Sequence, residues 1–318
     1  LFSNVISTNL FSILGIALFI LIVYGGYYLV SGLSCQSIIK QIIDKSYSFF
    51  HNNFMENIKL LALDIDGTLV NDQKQLSPLT NAVFNALIHQ GITLVFCSGR
   101  QFKDYQHQAI YIGENGGISH YDDQLHIHAK LNSNQIHTVL DRLATNPKIT
   151  PVLSGLDTAY IPAYCTDKFI EEIQPYYPFH TVKTTHNIDG VVMKVAAHVD
   201  QDSYHEIYLP NQDLQDSMDV CVSADQWCDF NPKGSSKGAT LALIMKQLHI
   251  APHQAMAIGD SGNDISMLNS VEYSVAMKNA IDSVKSIAKY ITKYDNNDFG
   301  CIHFLIDYFK LNIPHSLQ

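Results

Sequence analysis

The sequence has little charge and no basic excess. Of its 318 residues 16% are charged, and 20 Lys and Arg stand against 30 Asp and Glu, which gives a formal net charge of −10. A protein that binds nucleic acid through phosphate contacts needs clustered basic side chains, so this balance argues against a nucleic-acid partner. The hydrophobic fraction of 47% suits a sizeable core, and the length allows two domains.

Paired cysteines are also lacking. The chain has 6 Cys, scattered and without a C-x-x-C pair. That pattern is typical of free thiols in a reducing compartment, and it argues against a disulfide framework or a zinc site.

Charge is absent altogether from residues 1–39. Residues 10–30 form a hydrophobic helix candidate of about the length that spans a bilayer. Lys40 and Lys45 follow it, so a genuine anchor would leave the remainder of the chain in the cytoplasm. Residues 1–54 have two other interpretations. They are either an over-extended translation upstream of Met55, which would then be the natural start of a cytoplasmic enzyme, or a tag. A membrane partner is expected only if this segment is genuine.

Short apolar runs that stop at polar residues predict strands buried in a parallel sheet. Residues 59–63 and 93–97 are such runs, and an amphipathic helix from Ser77-Pro78 to Gly91 separates them, as in a βαβ unit. The same rhythm returns over 238–276. The expected fold class is therefore α/β, with a doubly wound, Rossmann-like parallel sheet.

The rhythm fades between these regions, where Tyr, His, Thr and Asp are frequent. This change predicts an inserted α+β domain over residues 121–230. The catalytic core then comprises residues 55–120 and 231–318.

Two carboxylates follow the first predicted strand, in Asp64-Ile65-Asp66-Gly67-Thr68. Carboxylates at i and i+2 can put one oxygen in line with a phosphorus atom and the other beside a leaving group. An Asp-rich turn is the alternative interpretation.

Ser98 and Gly99 end the second predicted strand, where a hydroxyl and backbone N–H groups can hold phosphoryl oxygens. Lys237 precedes a predicted helix and can neutralise a phosphoryl group as charge develops, with Lys233 as the rival position. Taken alone, each of these residues has a plain turn or a solvated loop as its alternative.

Asp260 and Asp264, with Asn263 between them, follow the predicted strand 255–258. Magnesium prefers hard oxygen ligands and commonly takes one or two carboxylates. The segment lacks the acidic ladder of a calcium-binding EF-hand loop. All four clusters lie at strand ends or helix starts, where open α/β sheets bind their ligands.

Taken together, D-I-D-G-T, S-G-R, K-G and G-D-S-G-N-D resemble the ordered motifs of the haloacid dehalogenase-like hydrolases. The resemblance extends from about Met55 to Phe309. The long interval between Ser98 and Lys237, and the E-N-G segment in 111–117, resemble the Cof-like phosphatases. In that branch the insertion, here residues 121–230, is a large substrate-specificity domain called the cap.

The resemblance implies a role for each matching residue. Asp64 is the expected nucleophile, which forms an aspartyl phosphate, and Asp66 is the expected general acid and base. The expected phosphate-binding residues are Ser98, Gly99, Lys237, Gly67 and Thr68. The expected ligands of Mg²⁺ are Asp64, Asp260, the main-chain carbonyl of Asp66 and Asp264, with Asn263 supporting the loop.

The function expected is a magnesium-dependent phosphatase that acts on a small phosphorylated metabolite, such as a sugar phosphate or a flavin or pyridoxal phosphate. A phosphomutase of the same superfamily and a non-catalytic binding or regulatory module are the alternatives. The candidate substrate contacts in the cap are Trp227, Asp229, Tyr160, Tyr164 and the Tyr176-Tyr177 pair. For each of them a place in the cap core or on its surface is the favoured interpretation.

Overall fold

The computed structural model describes residues 58–99, 109–174 and 178–313. The predicted hydrophobic helix at 10–30 and the rest of residues 1–54 lie outside the described residues, as do Arg100 and the Tyr176-Tyr177 pair. Within the described ranges, no helix combines the length and the apolar character that crossing a membrane requires.

The described chain alternates short strands and helices. Its strands are β1 (Leu60–Asp64), β2 (Thr93–Cys97), β3 (Ile110–Gly113), β4 (Ile118–Tyr121), β5 (Gln124–Ile127), β6 (Thr150–Ser154), β7 (Ala159–Pro162), β8 (Phe179–Val182), β9 (Lys194–His198), β10 (Met218–Ala224), β11 (Trp227–Pro232), β12 (Ala255–Gly259), β13 (Tyr273–Ala276) and β14 (Tyr290–Ile291). Its α-helices are α1 (Thr80–His89), α2 (Ser133–Leu143), α3 (Asp167–Ile173), α4 (Lys237–Gln247), α5 (Ile265–Asn269), α6 (Asp282–Ile287) and α7 (Gly300–Phe309).

The larger sheet has eight strands in the order β14-β13-β12-β1-β2-β3-β4-β5. Neighbouring strands are parallel from β14 to β3, and the β3-β4-β5 end is antiparallel. The chain moves from β1 to β2 and β3 on one side and later returns to β12 on the other side. The order therefore reverses between β1 and β12, and open α/β sheets bind ligands outside the carboxyl ends of strands at such a point.

The parallel strands are buried on both faces, which explains why they are continuous apolar runs. Every residue of β1 and of β12 is buried, and Phe84 of α1, Leu241 of α4 and Leu305 of α7 belong to the same core. The predicted α/β fold is confirmed.

Helix α1 begins slightly later than the sequence predicts, because Ser77 uses its Oγ to accept a hydrogen bond from the N–H of Leu79 in the preceding turn.

The smaller sheet has six strands in the order β10-β11-β9-β6-β7-β8, and all neighbours except β7 and β8 are antiparallel. Its apolar side chains form clusters of their own, around Val195 and Phe230 and around Ile161 and Phe169. The division of the chain at 121 and 230 stays a prediction. Strand β5 pairs with the larger sheet, and β11 continues to Pro232 in the smaller one.

Gly238, in the first turn of α4, allows that helix to pack closely on α5. A Cβ at this position would lie 2.1 Å from the carbonyl oxygen of Ser266, and backbone cannot rotate away as a side chain can. We therefore expect Gly238→Ala to lower the free energy of unfolding by about 3 kcal/mol, measured by urea denaturation.

Gly91→Ala is the matched control. Its Cβ would meet no atom within 4 Å, so only the positive φ of +80° opposes it, at about 1 kcal/mol. An equal or smaller loss for Gly238→Ala would contradict this account of the α4–α5 contact.

Candidate active site

Asp64 is the last residue of β1 and is buried. Gly67 turns the chain after it with a φ of +78°, and a Cβ on Gly67 would lie 2.5 Å from Oδ2 of Asp260. Only glycine permits this approach, which brings the loop after β1 against the loop after β12. Asp66 precedes Gly67 in the loop after β1, and its Oδ1 accepts a hydrogen bond from Nζ of Lys74 at 3.0 Å.

Asp260 follows β12 directly, and two hydroxyl groups fix its carboxylate. Thr68 Oγ1 donates to Oδ1 at 3.0 Å, and Ser261 Oγ donates to Oδ2 at 3.1 Å. Burial and the negative charge of Asp264 raise the pKa of Asp260 to about 6, while the two hydroxyl groups lower it.

Lys237 is the first residue of α4, and its side chain is fully buried between two carboxylates. Its Nζ donates to Oδ1 of Asp64 at 2.5 Å and to Oδ1 of Asp264 at 2.7 Å. Burial alone would lower the pKa of Lys237, but Asp264 and Asp64 raise it above its ordinary value. The ammonium group is therefore charged.

Asp264 organises the loop after β12. Its Oδ2 accepts hydrogen bonds from the backbone N–H groups of Asp260 at 2.9 Å and Ser261 at 3.0 Å, while Oδ1 accepts from Lys237. Both oxygens of Asp264 are thus engaged by donors of the protein.

The site carries more negative than positive charge. One oxygen from each of Asp64, Asp260 and Asp264 lies within 4.8 Å of the others, and Lys237 is the ammonium bound among them. Burial raises the pKa of Asp64, and the charge of Asp264 raises it further. Because carboxylate oxygens are preferred ligands of hard divalent cations, the cluster fits such a cation, which would offset the excess charge.

Ser98 and Gly99 form the loop after β2, and Asn115 links this loop to the rest of the site. The carbonyl of Ser98 accepts a hydrogen bond from the N–H of Asn115 at 3.2 Å. The Asn115 side chain donates to Oδ2 of Asp229 at 2.7 Å and accepts from Nδ2 of Asn263 at 3.1 Å. The predicted supporting residue Asn263 thus contacts the E-N-G segment.

Lys194 of β9 reaches from the smaller sheet to the larger one. Its Nζ donates to the carbonyl of Gly99 at 2.5 Å and to Oδ2 of Asp229 at 3.1 Å, and both charged side chains are 3% exposed. Lys194 was not predicted from the sequence. A lone lysine in the apolar run V-V-M-K-V-A-A was the signal that could have revealed it.

A cavity of about 370 Å³ lies between these groups, with walls from both sheets. The predicted residues that line it are Asp64, Asp66, Gly67, Gly99, Asp260, Asn263, Trp227 and Asp229. Tyr164 instead is 72% exposed, and Tyr160 packs against the core of the smaller sheet. Lys74 and Glu172 also line the cavity, and neither was predicted from the sequence.

Glu114 is completely buried beside this network. Ser154 is the neighbouring hydroxyl, but neither carboxylate oxygen accepts a hydrogen bond of ordinary geometry from a described residue. Burial raises the pKa of Glu114 from 4.5 to about 7; Lys194 lowers it and Asp229 raises it. At neutral pH a substantial fraction of this carboxyl group is therefore protonated.

We expect Glu114→Gln to remove a pH-dependent loss of stability. The folded-state pKa lies above the unfolded one, so the contribution of Glu114 is present below pH 4.5 and is lost as the pH rises through about 7. This difference corresponds to about 3 kcal/mol. Melting temperatures of both proteins at pH 5 and pH 8 test it: the variant gains relative to the parent at pH 8. A difference that is the same at both pH values would refute the shift.

Comparison with known proteins identifies the family of this chain. Residues 61–305 match the family model of the haloacid dehalogenase-like hydrolases. The 5-amino-6-(5-phospho-D-ribitylamino)uracil phosphatase YbjI of Escherichia coli is 26% identical over 76% of this chain and 93% of its own length. The phosphatase YcsE of Bacillus subtilis, named for the same substrate, is 25% identical over 76% of this chain and 92% of its own length.

The solved structure of SMU.1108c from Streptococcus mutans UA159 has the same fold, with a TM-score of 0.75 at 24% identity. The match covers 80% of this chain and 100% of that one. The family model covers well over half of the sequence, and the relatives are phosphatases. The chain therefore belongs to the haloacid dehalogenase-like hydrolases, as a phosphatase of the Cof-like type.

Proposed function

We propose that this phosphatase hydrolyses a small phosphorylated metabolite in a magnesium-dependent reaction that passes through an aspartyl phosphate on Asp64. The observation that carries the proposal is the buried contact of Lys237 with Asp64 and Asp264 beside Asp260. A buried lysine held by two carboxylates keeps a nucleophile and a positive charge together at the carboxyl end of β1, where a phosphoryl group must bind.

In the first step, Asp64 attacks the phosphorus atom. Lys237 holds Oδ1, which leaves Oδ2 as the attacking oxygen. The new bond joins Oδ2 to phosphorus, and the bond between phosphorus and the ester oxygen breaks. Asp66 gives its proton to that departing oxygen, so the product alcohol leaves uncharged.

In the second step, Asp66 acts as the base. It takes a proton from a water molecule, which attacks the phosphorus atom of the aspartyl phosphate and releases inorganic phosphate and the free carboxylate of Asp64. The contact of Lys74 with Oδ1 of Asp66 orients the carboxyl group for both proton transfers.

The side chains of Asp64 and Asp260 and the main-chain carbonyl of Asp66 would hold Mg²⁺. When bound, the ion supplies positive charge that stabilises the phosphoryl oxygens. Asp264 was expected as a further ligand. It is fully buried, whereas Asp260 lines the cavity, and its oxygens accept from an ammonium and two backbone N–H groups, so we assign it the role of positioning Lys237 and the loop.

Backbone N–H groups complete the proposed phosphate site. Gly67 and Thr68 after β1, and Gly99 after β2, would direct them at phosphoryl oxygens. The N–H of Ser98 donates to the carbonyl of Ile112 at 2.8 Å, so Ser98 would contribute through its hydroxyl group. The Thr68 hydroxyl donates to Asp260, so its contribution to phosphate binding would come from the main chain.

Two relatives supply the first substrate to test, 5-amino-6-(5-phospho-D-ribitylamino)uracil. We propose this compound, or another metabolite of similar size, as the substrate.

Free thiols suit a reducing compartment, and they support a cytoplasmic location. Among the residues that the structure describes, the free cysteines are Cys97, Cys165, Cys221, Cys228 and Cys301.

We expect Asp64→Asn to lower kcat/KM for phosphate release by at least about 10³-fold, because the covalent pathway has no second nucleophile. The assay measures phosphate released by the full-length chain from the uracil compound, sugar phosphates and p-nitrophenyl phosphate. Asp307→Asn, an exposed position on α7, is the matched control. Undiminished turnover by Asp64→Asn, or no release from any compound by the folded parent, would overturn the proposal.

We expect chelation with EDTA to abolish phosphate release and Mg²⁺ to restore it. In Asp260→Asn the Mg²⁺ concentration for half-maximal activity should rise about tenfold or more, because a charged oxygen ligand is lost. A magnesium titration of the parent, Asp260→Asn and Asp307→Asn measures this. Activity that persists in EDTA would contradict the dependence on magnesium. An unchanged midpoint in Asp260→Asn would rule out Asp260 as a ligand of the ion.

A further inference from the structure

The smaller sheet and α3 supply one wall of the cavity that Asp64 also lines. Trp227 at the start of β11 and Glu172 of α3 line it, together with the buried Lys194–Asp229 pair. An alcohol whose phosphoryl group contacts Asp64 must lie in the same cavity and therefore meets this wall. These side chains therefore meet the part of the substrate that distinguishes one phosphate ester from another.

Trp227 is a partly exposed aromatic wall whose position is fixed. Its ring lies 4.8 Å from that of His198 and 6.3 Å from that of Phe169, measured between centroids. A large ring that its neighbours already hold loses little conformational freedom when a ligand stacks on it. The wall thus suits a planar group.

Glu172 adds a negative charge to this wall. Its Oε1 lies 3.4 Å from Nε2 of the buried His198. Burial lowers the pKa of His198, although Glu172 and Asp200 act in the opposite sense, which favours the neutral form of the ring. Lys194 is already paired with Asp229, so it does not compensate Glu172. A ligand with N–H donors gains there, and one with a second anionic group is repelled.

We propose that Trp227 and Glu172 are the specificity-determining residues of the leaving-group site, and that they select a planar, uncharged nitrogen heterocycle with N–H donors. The assignment rests on the proposed phosphatase function. The cavity of about 370 Å³ lies near the lower end of small-molecule sites, which favours one ring over a fused three-ring system. A sugar bisphosphate, the ligand that a mutase would need, is disfavoured by the charge.

Two matched ester pairs test the two residues separately. 5-Amino-6-(5-phospho-D-ribitylamino)uracil and D-ribitol 5-phosphate share the phosphorylated chain and differ in the ring. Ribulose 5-phosphate and ribulose 1,5-bisphosphate differ in one phosphate. In the parent, kcat/KM should be at least tenfold higher for the ring compound than for ribitol 5-phosphate. A parent without this preference would overturn the proposal.

Trp227→Leu should reduce the ratio of kcat/KM between the ring and ringless esters about tenfold, mainly through KM, because the variant loses the stacking of the heterocycle on an aromatic side chain. Trp227→Phe should restore most of the ratio. Equal losses on both esters would indicate a merely structural role and would overturn the assignment.

Glu172→Gln should raise kcat/KM for ribulose 1,5-bisphosphate about fivefold relative to ribulose 5-phosphate. Glu171→Gln, the neighbouring exposed glutamate of α3, is the matched control and should leave that ratio as in the parent. An unchanged ratio in Glu172→Gln would contradict the charge selection.

Fluorescence separates this inference from the phosphatase proposal. Trp227 is the only tryptophan of the chain, so its emission reports stacking directly, and Asp64→Asn prevents turnover during a titration. The ring compound should quench the emission, and ribitol 5-phosphate at the same concentration should not. Quenching in a protein that releases no phosphate would support the ring site while the phosphatase proposal fails. Absence of quenching in an active enzyme would overturn the ring site alone.

Discussion

The ammonium group of Lys237, buried between Asp64 and Asp264, is the contact on which the site depends. It joins the end of β1, the start of α4 and the loop after β12, which are far apart in sequence. Neither the lysine nor a carboxylate could remain buried and charged alone, because an unpaired buried charge is strongly destabilising. Folding of the core therefore brings the nucleophile, its counter-charge and the loop of Asp260 together.

A second polar network joins the smaller sheet to the core. Lys194 contacts the carbonyl of Gly99 and Asp229, and Asp229 also accepts from Asn115. These buried hydrogen bonds have strict geometry, so they fix the distance between the wall that carries Trp227 and the carboxylates at the end of β1. Catalytic and selective groups thus lie on different sheets but in one cavity, which allows the selective wall to differ between relatives while the chemistry is kept.

Local patterns explain why much of the fold was predictable. β1, β2, β12 and β13 are short runs of buried apolar residues, and the polar residues that follow them lie at the expected edge of the sheet. Lys74, Glu172 and Lys194 were not predicted. Lys194 lies on β9, and its importance depends on which face of the smaller sheet meets the core, a contact on which side-chain alternation gives no information. Lys74 and Glu172 lie on a loop and on α3, and only the fold brings them to the cavity. Similarly, the sequence predicts Asp264 as a metal ligand, but only the fold reveals that it is fully buried and holds Lys237 and the backbone of its own loop.

The central claim is that the phosphoryl group passes through Asp64, and trapping the intermediate tests it most directly. The full-length enzyme is quenched with acid during turnover of its best substrate, in the parent and in Asp66→Asn, where slower hydrolysis should let the intermediate accumulate. Mass spectrometry of the peptides should then find one phosphoryl group on Asp64, absent from Asp64→Asn. Steady release of phosphate with no phosphoryl group on Asp64, or with one on another side chain, would contradict the account.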